Sequence, residues 1–317
     1  MEPFSMNTLV MCFAGGIVGG AIGGLFSFII CGLMVMAGCL VIMASGSDFV
    51  LLQVGLGPIF GPHVGGFASG VAASTYAAAV SKNHPGGAAK DILSSLMGTS
   101  WDVLLVGGLT ALAGHFLLQL FALIPVVNMT DMIALSVVAT AFLARFLFQK
   151  EMPWGNSKSI KDLGYLKTDD HKISWVPWML PLPKMVLYGC AAGVLSAAMA
   201  AQAKAVMDPM AAAGVISAAG AFVVPLIMGW AAAAISLIAL QLGTGAIQQV
   251  PVWHCQAILS ALAYLYFGNI MIAGLVGGCA ALLQELMARM FWNHGSNHVD
   301  PPAAAIAVGT LMLNIIK

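Results

Sequence analysis

Nearly all of this chain is written in long apolar runs, covering residues 9–46, 49–80, 86–124, 131–148, 182–206, 211–243, 252–267, 269–291 and 302–316. A helix needs about 20 apolar residues to cross a hydrocarbon core about 30 Å thick, so the longest runs must each hold two helices, or a helix and a re-entrant piece. About nine to twelve membrane elements are expected on that basis. With 8% charged and 60% hydrophobic residues, the sequence cannot cover a soluble domain with polar surface. The expected fold class is therefore an all-α polytopic membrane protein. A net charge of zero argues against nucleic acid as a partner. The partners to expect are the lipid bilayer, a small solute or ion, and other copies or subunits in a homo-oligomer or membrane complex.

The second constraint is internal similarity. Ile92 to Ala122 lies ungapped over Ile258 to Ala288 with nine identities in 31 pairs, where an apolar-biased composition gives about three by chance. Asn128-Met129-Thr130-Asp131 answers Asn297-His298-Val299-Asp300, and no other N-x-x-D occurs in the chain. Ala14 to Ala21 resembles Ala191 to Ala198, and Pro58 can sit over Pro225. These matches predict two sequence-related halves of about five membrane segments each. The shared segments pair 9–30 with 184–206, 58–80 with 223–243, 86–100 with 252–267, 103–124 with 269–291, and 131–148 with 302–316. An odd unit makes the second half an inverted copy of the first.

One long polar segment, Gln149 to Pro183, separates the halves. It carries Lys150, Lys158, Lys161, Lys167 and Lys172 against Glu151, Asp162, Asp169 and Asp170, with Arg145 and Lys184 at its margins. The expected organisation is a first membrane repeat over residues 1–150, a polar interfacial linker over 151–181 and a second repeat over 182–317. Trp154, Trp175 and Trp178 suit interfacial anchoring. By the positive-inside tendency the linker is cytoplasmic and the N-terminus external, in a plasma (inner) membrane. MEPFSMNTLVMCF contains no Lys or Arg, so it lacks the basic region of a cleavable signal peptide and the first apolar segment is expected to be retained.

Broken or re-entrant helices are also expected. GLGPIFGPH, residues 55–63, puts two prolines and three glycines inside an apolar run, which a continuous helix accommodates poorly. Its counterpart is expected near Pro225 to Trp230. Six cysteines, Cys12, Cys31, Cys39, Cys190, Cys255 and Cys279, all fall in apolar stretches without C-x-x-C spacing and read as packed thiols.

The candidate pathway residues follow from these features. Asn128 with Asp131 and Asn297 with Asp300 each precede a new apolar run. Asp300 before Pro301-Pro302 is a strong helix start. One reading makes the two motifs N-caps at membrane surfaces; the other makes them acidic sites for a cation or proton, because ionisable groups within membrane proteins are expensive and often mark pathways. Pro58 and His63 in the break, His254 after Trp253, and His298 beside Asp300 complete the set, imidazole being able to relay protons near neutral pH. His294 and His298 have the i, i+4 spacing of a metal pair with a carboxylate, Asp300, nearby, but they sit in a glycine-containing loop where solvated or backbone-bonded histidines are the simpler reading, so no metal site is assigned. Asp102, the Glu285–Arg289 pair, Lys90 and the Lys204–Asp208 pair rank below the repeated Asn and Asp residues.

No phosphate-binding loop, nucleophile elbow, H-E-x-x-H or haem motif is present, and no nucleophile and base are paired, so an enzyme is not expected. The function expected is an integral membrane transporter or channel for a small polar solute or ion, coupled to protons or sodium if it is coupled at all. The alternative is a non-transporting subunit or scaffold of a larger complex, docking through the small-residue stretch GGIVGGAIGG.

Overall fold

The computed structural model describes residues 2–167 and 173–317. Asp169, Asp170 and Lys172 of the linker lie outside the described residues. Apart from one isolated bridge between Met152 and Gly155, regular structure among the described residues is helical. In chain order the helices are α1 (Met6–Ile22), α2 (Gly24–Ser45), α3 (Ala68–Tyr76), α4 (Trp101–Leu123), α5 (Met132–Ala144), α6 (Ser157–Leu163), α7 (Leu182–Ala212), α8 (Ala218–Ser236), α9 (Ile238–Leu242), α10 (His254–Phe267), α11 (Ile270–Met287) and α12 (Pro301–Ile316). Among the described residues, six stretches are long and apolar enough to cross a membrane: Gly24–Ser45, Trp101–Leu123, Met132–Gln149, Leu182–Ala212, Ala218–Leu242 and Ile270–Trp292. Leu123, Trp101, Leu187 and Met271 turn outward at 73–79% exposure, which only lipid accommodates at low cost. This is an integral membrane protein.

Helix starts follow local chemistry. Ser5, Asn156, Ser217 and Asn269 accept backbone N–H groups in the first turns of α1, α6, α8 and α11, and Asp131 and Asp300 do the same for α5 and α12. Asp102 instead accepts from Tyr76 and Ser81, tying the start of α4 to the end of α3.

Close packing decides the neighbours. α1 crosses α4 antiparallel, with Gly16 against Gly107 and Ala111. α7 crosses α11 antiparallel, with Gly193 against Ala273 and Gly277. Small residues let backbones meet in this way where lipid provides no hydrophobic drive for association. The glycines of GGIVGGAIGG thus face partners within the chain: Gly15 meets Ile59, Gly19 meets Gly65 and Gly24 meets Ile92.

Two expectations need correction. The apolar run 86–100 forms no helix. Asp91 accepts from Leu93 N, Ser94 N and Ser94 Oγ, an Asx-type competitor to helical hydrogen bonds. The segment then repairs a break between α1 and α2. At Gly23, with φ of 91°, the chain leaves the helix, and a side chain here would meet Ser94 O at 2.5 Å. Leu96 N and Ser95 Oγ donate to Ala21 O, while Leu25 N donates to Ile92 O, so the groups freed by the break are paired. Residues 9–30 are accordingly two helices.

Pro225 is the second correction, because α8 runs through it unbroken. Proline removes one N–H, and the neighbouring helices α2, α7 and α10 hold the rest of α8 in place. The stretch around Pro58 does interrupt the helices: a π turn over Val50–Gly55 leads into turns up to Phe67.

The linker does more than skirt an interface. Trp175 is buried in the core, and Trp178 Nε1 donates to Val250 O. Gly155 and Asn156 meet His294, Glu151 accepts from Ser296 N and Oγ, and Tyr165 donates to Met290 O. It therefore lies over the loop that leads into α12.

Candidate functional site

A cavity of about 460 Å³ lies where the two halves meet. Its walls come from α2, α5, α8, α10, α12 and the linker, and they are mainly apolar and aromatic, with Phe28, Phe67, Trp175, Trp178, Trp230 and Trp292 prominent. Few polar side chains reach it. Those that do are Lys90, Asp131, Ser174, His254, His298 and Asp300. A mostly apolar hollow with a small number of convergent polar groups is the usual form of a small-molecule site.

Asp300 anchors one end. As the N-cap of α12 its Oδ2 accepts from Ala303 N at 2.8 Å, and Pro301 and Pro302 fill the first turn without wasting donors. His298 Nε2 stands 3.4 Å from Oδ1, and His254 Nε2 stands 3.9 Å from Oδ2. Trp292 Nε1 donates to His298 Nδ1 at 3.0 Å. That bond requires a lone pair on Nδ1, so neutral His298 carries its proton on Nε2, directed at the carboxylate. His254 opens α10 beneath the Phe28 ring, centroids 5.0 Å apart, and its Nδ1 is buried without a partner.

Behind this cluster stands Arg145, fully buried at the end of α5. Its Nε donates to Asn297 Oδ1 at 2.7 Å, its Nη2 to Asn297 O at 3.1 Å and its Nη1 to Pro153 O. Asn297 Nδ2 also reaches Ala141 O, at 3.0 Å. Asn297 is therefore a strut for the loop that carries His298 and Asp300, not a group facing the cavity. Lys90 closes the same side: it donates to Asn293 O and lies 3.9 Å from the centroid of the Trp292 ring.

Asp131 lies at the other end. It caps α5 by accepting from Ala134 N at 2.9 Å and also lines a second, more open pocket with Tyr266 and Asn314. Asn314, near the end of α12, donates to Met129 O at 2.6 Å. The start of α5 thus neighbours the end of α12, and the two helices run antiparallel. Because α12 has 16 residues, the two aspartates are separated by about 20 Å along it at 1.5 Å per residue. They do not share one ion; they occupy opposite ends of one cavity.

Asp131, His254, His298 and Asp300 are thus brought together around this space. The rest of the sequence-derived set falls elsewhere. Asn128 is exposed, Pro58 belongs to the turn before α3, and His63 is buried beside His115, ring centroids 6.5 Å apart. His294 bonds to Ser159 and Gly164 of the linker, away from His298, and among the described residues no three His, Cys, Asp or Glu side chains are grouped to hold a metal ion. The cysteines are unpaired. Sequence reasoning missed Arg145 and the aromatic wall. A lone arginine inside an apolar run was the available signal for the first.

The profile of DUF7973, described as a family of unknown function, matches residues 1–317. The chain belongs to that family. No curated protein and no solved structure matches it.

In chemical terms the Asp300 end offers a carboxylate beside two imidazoles, and it faces aromatic rings. Such a surface suits a small solute with an apolar body and an amine or other exchangeable proton.

Proposed function

We propose that this chain is a membrane transporter, built as an inverted repeat, that carries a small solute through the cavity between its halves and couples that movement to protons. The observation that carries the reading is one cavity bounded at its two ends by the two N-x-x-D helix starts, one from each half. Further support comes from how the halves meet. α5 packs antiparallel on its repeat counterpart α12, with Asn297 before α12 bonded to Ala141 late in α5 and Asn314 late in α12 bonded to Met129 before α5. Antiparallel pairing of equivalent helices is what an inverted repeat requires.

Residue registers support the same reading. A shift of 169 that lays Asp131 on Asp300 also lays Arg145 on Asn314. Arg145 donates to a backbone carbonyl of the N-x-x-D motif in the second half, and Asn314 to one in the first. The shifts of 177 and 166 carry the contact of Gly16 with Gly107 and Ala111 onto that of Gly193 with Ala273 and Gly277.

In this mechanism Asp300 is the counter-charge for the solute or its proton, and His254 and His298 pass the proton on. The aromatic walls hold the apolar part of the solute. The linker, which covers the Asp300 end, lies on the cytoplasmic side. Proteoliposomes containing the purified chain test this: an imposed pH gradient should drive uptake of small amphiphilic amines from a labelled panel, and Asp300→Asn should reduce it on the order of 100-fold. Loss of uptake across the panel, with proton flux equal to that of empty vesicles, would remove the proposal.

A further inference from the structure

Helical hydroxyls in this protein commonly turn back on their own helix. Ser45, Thr75, Thr110, Ser136, Thr140 and Ser236 each donate to a carbonyl three or four positions earlier. Ser196 on α7 and Ser260 on α10 do not. Both are at 0% exposure, and neither hydroxyl has a partner. Each forgoes a bond available one turn away, so both are held toward something else.

Both hydroxyls turn onto glycines of the neighbouring helices. A Cβ on Gly193 of α7 or Gly277 of α11 would fall 2.6 or 2.9 Å from Ser260 Oγ, and one on Gly229 of α8 would fall 2.8 Å from Ser196 Oγ. Gln256 precedes Ser260 by one turn on the same face of α10, also at 0% exposure with both amide atoms unpartnered. Beyond it, Gln284 of α11 donates to Val252 O while its Oε1 has no partner. Unpaired polar atoms are expensive inside a membrane bundle, and here several lie along one seam.

We propose that α7, α8, α10 and α11 form a binding site for one monovalent cation of the sodium type, with Ser196 Oγ, Ser260 Oγ and Gln256 Oε1 as ligands and Gln284 Oε1 at its margin. The donors are hard, neutral oxygens, which suit an alkali ion. No carboxylate is among them to balance a second charge, and no imidazole or thiolate to select a transition metal. The site has no twin in the first half, where the same registers place Gly19, Lys90, Ser94 and Leu118. One ion per chain follows. His254 and Ile258 face the cavity from the other side of α10, so ion and solute sites would share that helix. The binding claim does not depend on solute transport.

The full-length chain in detergent provides the test. Radioactive sodium ion should bind saturably at about one per chain, and sodium chloride should raise the thermal unfolding temperature above that in choline chloride at equal ionic strength. Ser260→Ala combined with Gln256→Leu should keep the choline value and lower sodium affinity at least tenfold, whereas Asp300→Asn should leave binding unchanged. Gln256→Glu preserves side-chain shape and adds a charge, so it should admit calcium, and this arm serves if the double variant fails to fold. Absence of both saturable binding and the sodium-specific shift would mean that the seam holds water only and would overturn the proposal. So would sodium affinity unaltered in a folded double variant, or unaltered selectivity in Gln256→Glu.

Discussion

Asp131 and Asp300 occupy equivalent places in sequence and make the same capping bond, yet their surroundings differ. Asp300 is 9% exposed, flanked by His254 and His298, and its loop is held by the Arg145 guanidinium. Asp131 is half-buried beside Tyr266 and Asn314, without a histidine, and its loop is held by a neutral amide. Helix initiation needs only an oxygen acceptor, so the caps alone do not separate the two ends. Their surroundings do: one carboxylate stands beside two imidazoles and the other beside a phenol and an amide.

Substitutions that remove the charge but keep the cap separate these roles. Asp300→Asn should reduce proton-driven uptake on the order of 100-fold, the scale of losing a positioned proton-transfer group, while Asp131→Asn should cost less than about tenfold. Uptake assays on the two variants at matched protein levels check the difference; equal losses would make the ends equivalent. Next in size is the strut. Arg145→Met leaves Asn297 Oδ1, Asn297 O and Pro153 O without their donor and should destabilise the fold by about 3 kcal/mol. Asn314→Leu removes the bond to Met129 O and the one accepted from Tyr266 OH, and should cost about 2 kcal/mol. Thermal unfolding in detergent measures both, and a reversed order would sink the view that the Asp300 end is the more rigidly held.

A smaller effect is expected from Trp292→Phe. Without the indole N–H, His298 Nδ1 loses the donor that fixes its tautomer, and the Nε2 proton is no longer held toward Asp300. Proton-driven uptake should fall about threefold, the scale of losing one orienting hydrogen bond. Uptake equal to that of the parent chain would disconnect the Trp292–His298 bond from proton handling.

Much of this contrast was legible in the chain. Cap chemistry is local, so Asp131 before Met132 and Asp300 before Pro301-Pro302 could be read as helix starts from a few residues. His298 and His254 entered by residue type. Lys90, Arg145 and Trp175 could not be placed, because each acts on residues more than a hundred positions away or in the opposite half. The run 86–100 misled for a related reason: its apolar residues fit a helix, but Asp91 and the break at Gly23 offered the backbone better partners. Pro225 failed in the other direction, since packing from several helices outweighs one missing hydrogen bond.

The decisive measurement is the sidedness of the cavity. Ala303 and Ile133 line it close to Asp300 and Asp131, and replacing either by cysteine leaves both carboxylates intact. In a background with the six native cysteines replaced by alanine or serine, a membrane-impermeant thiol reagent would be applied to sealed vesicles of known orientation. Ala303→Cys is predicted to react from the side that carries the linker, and Ile133→Cys from the opposite side, each rate changing when a pH gradient is imposed. Reaction of both from the same side, or of neither from any side, would contradict a transport path between inverted halves.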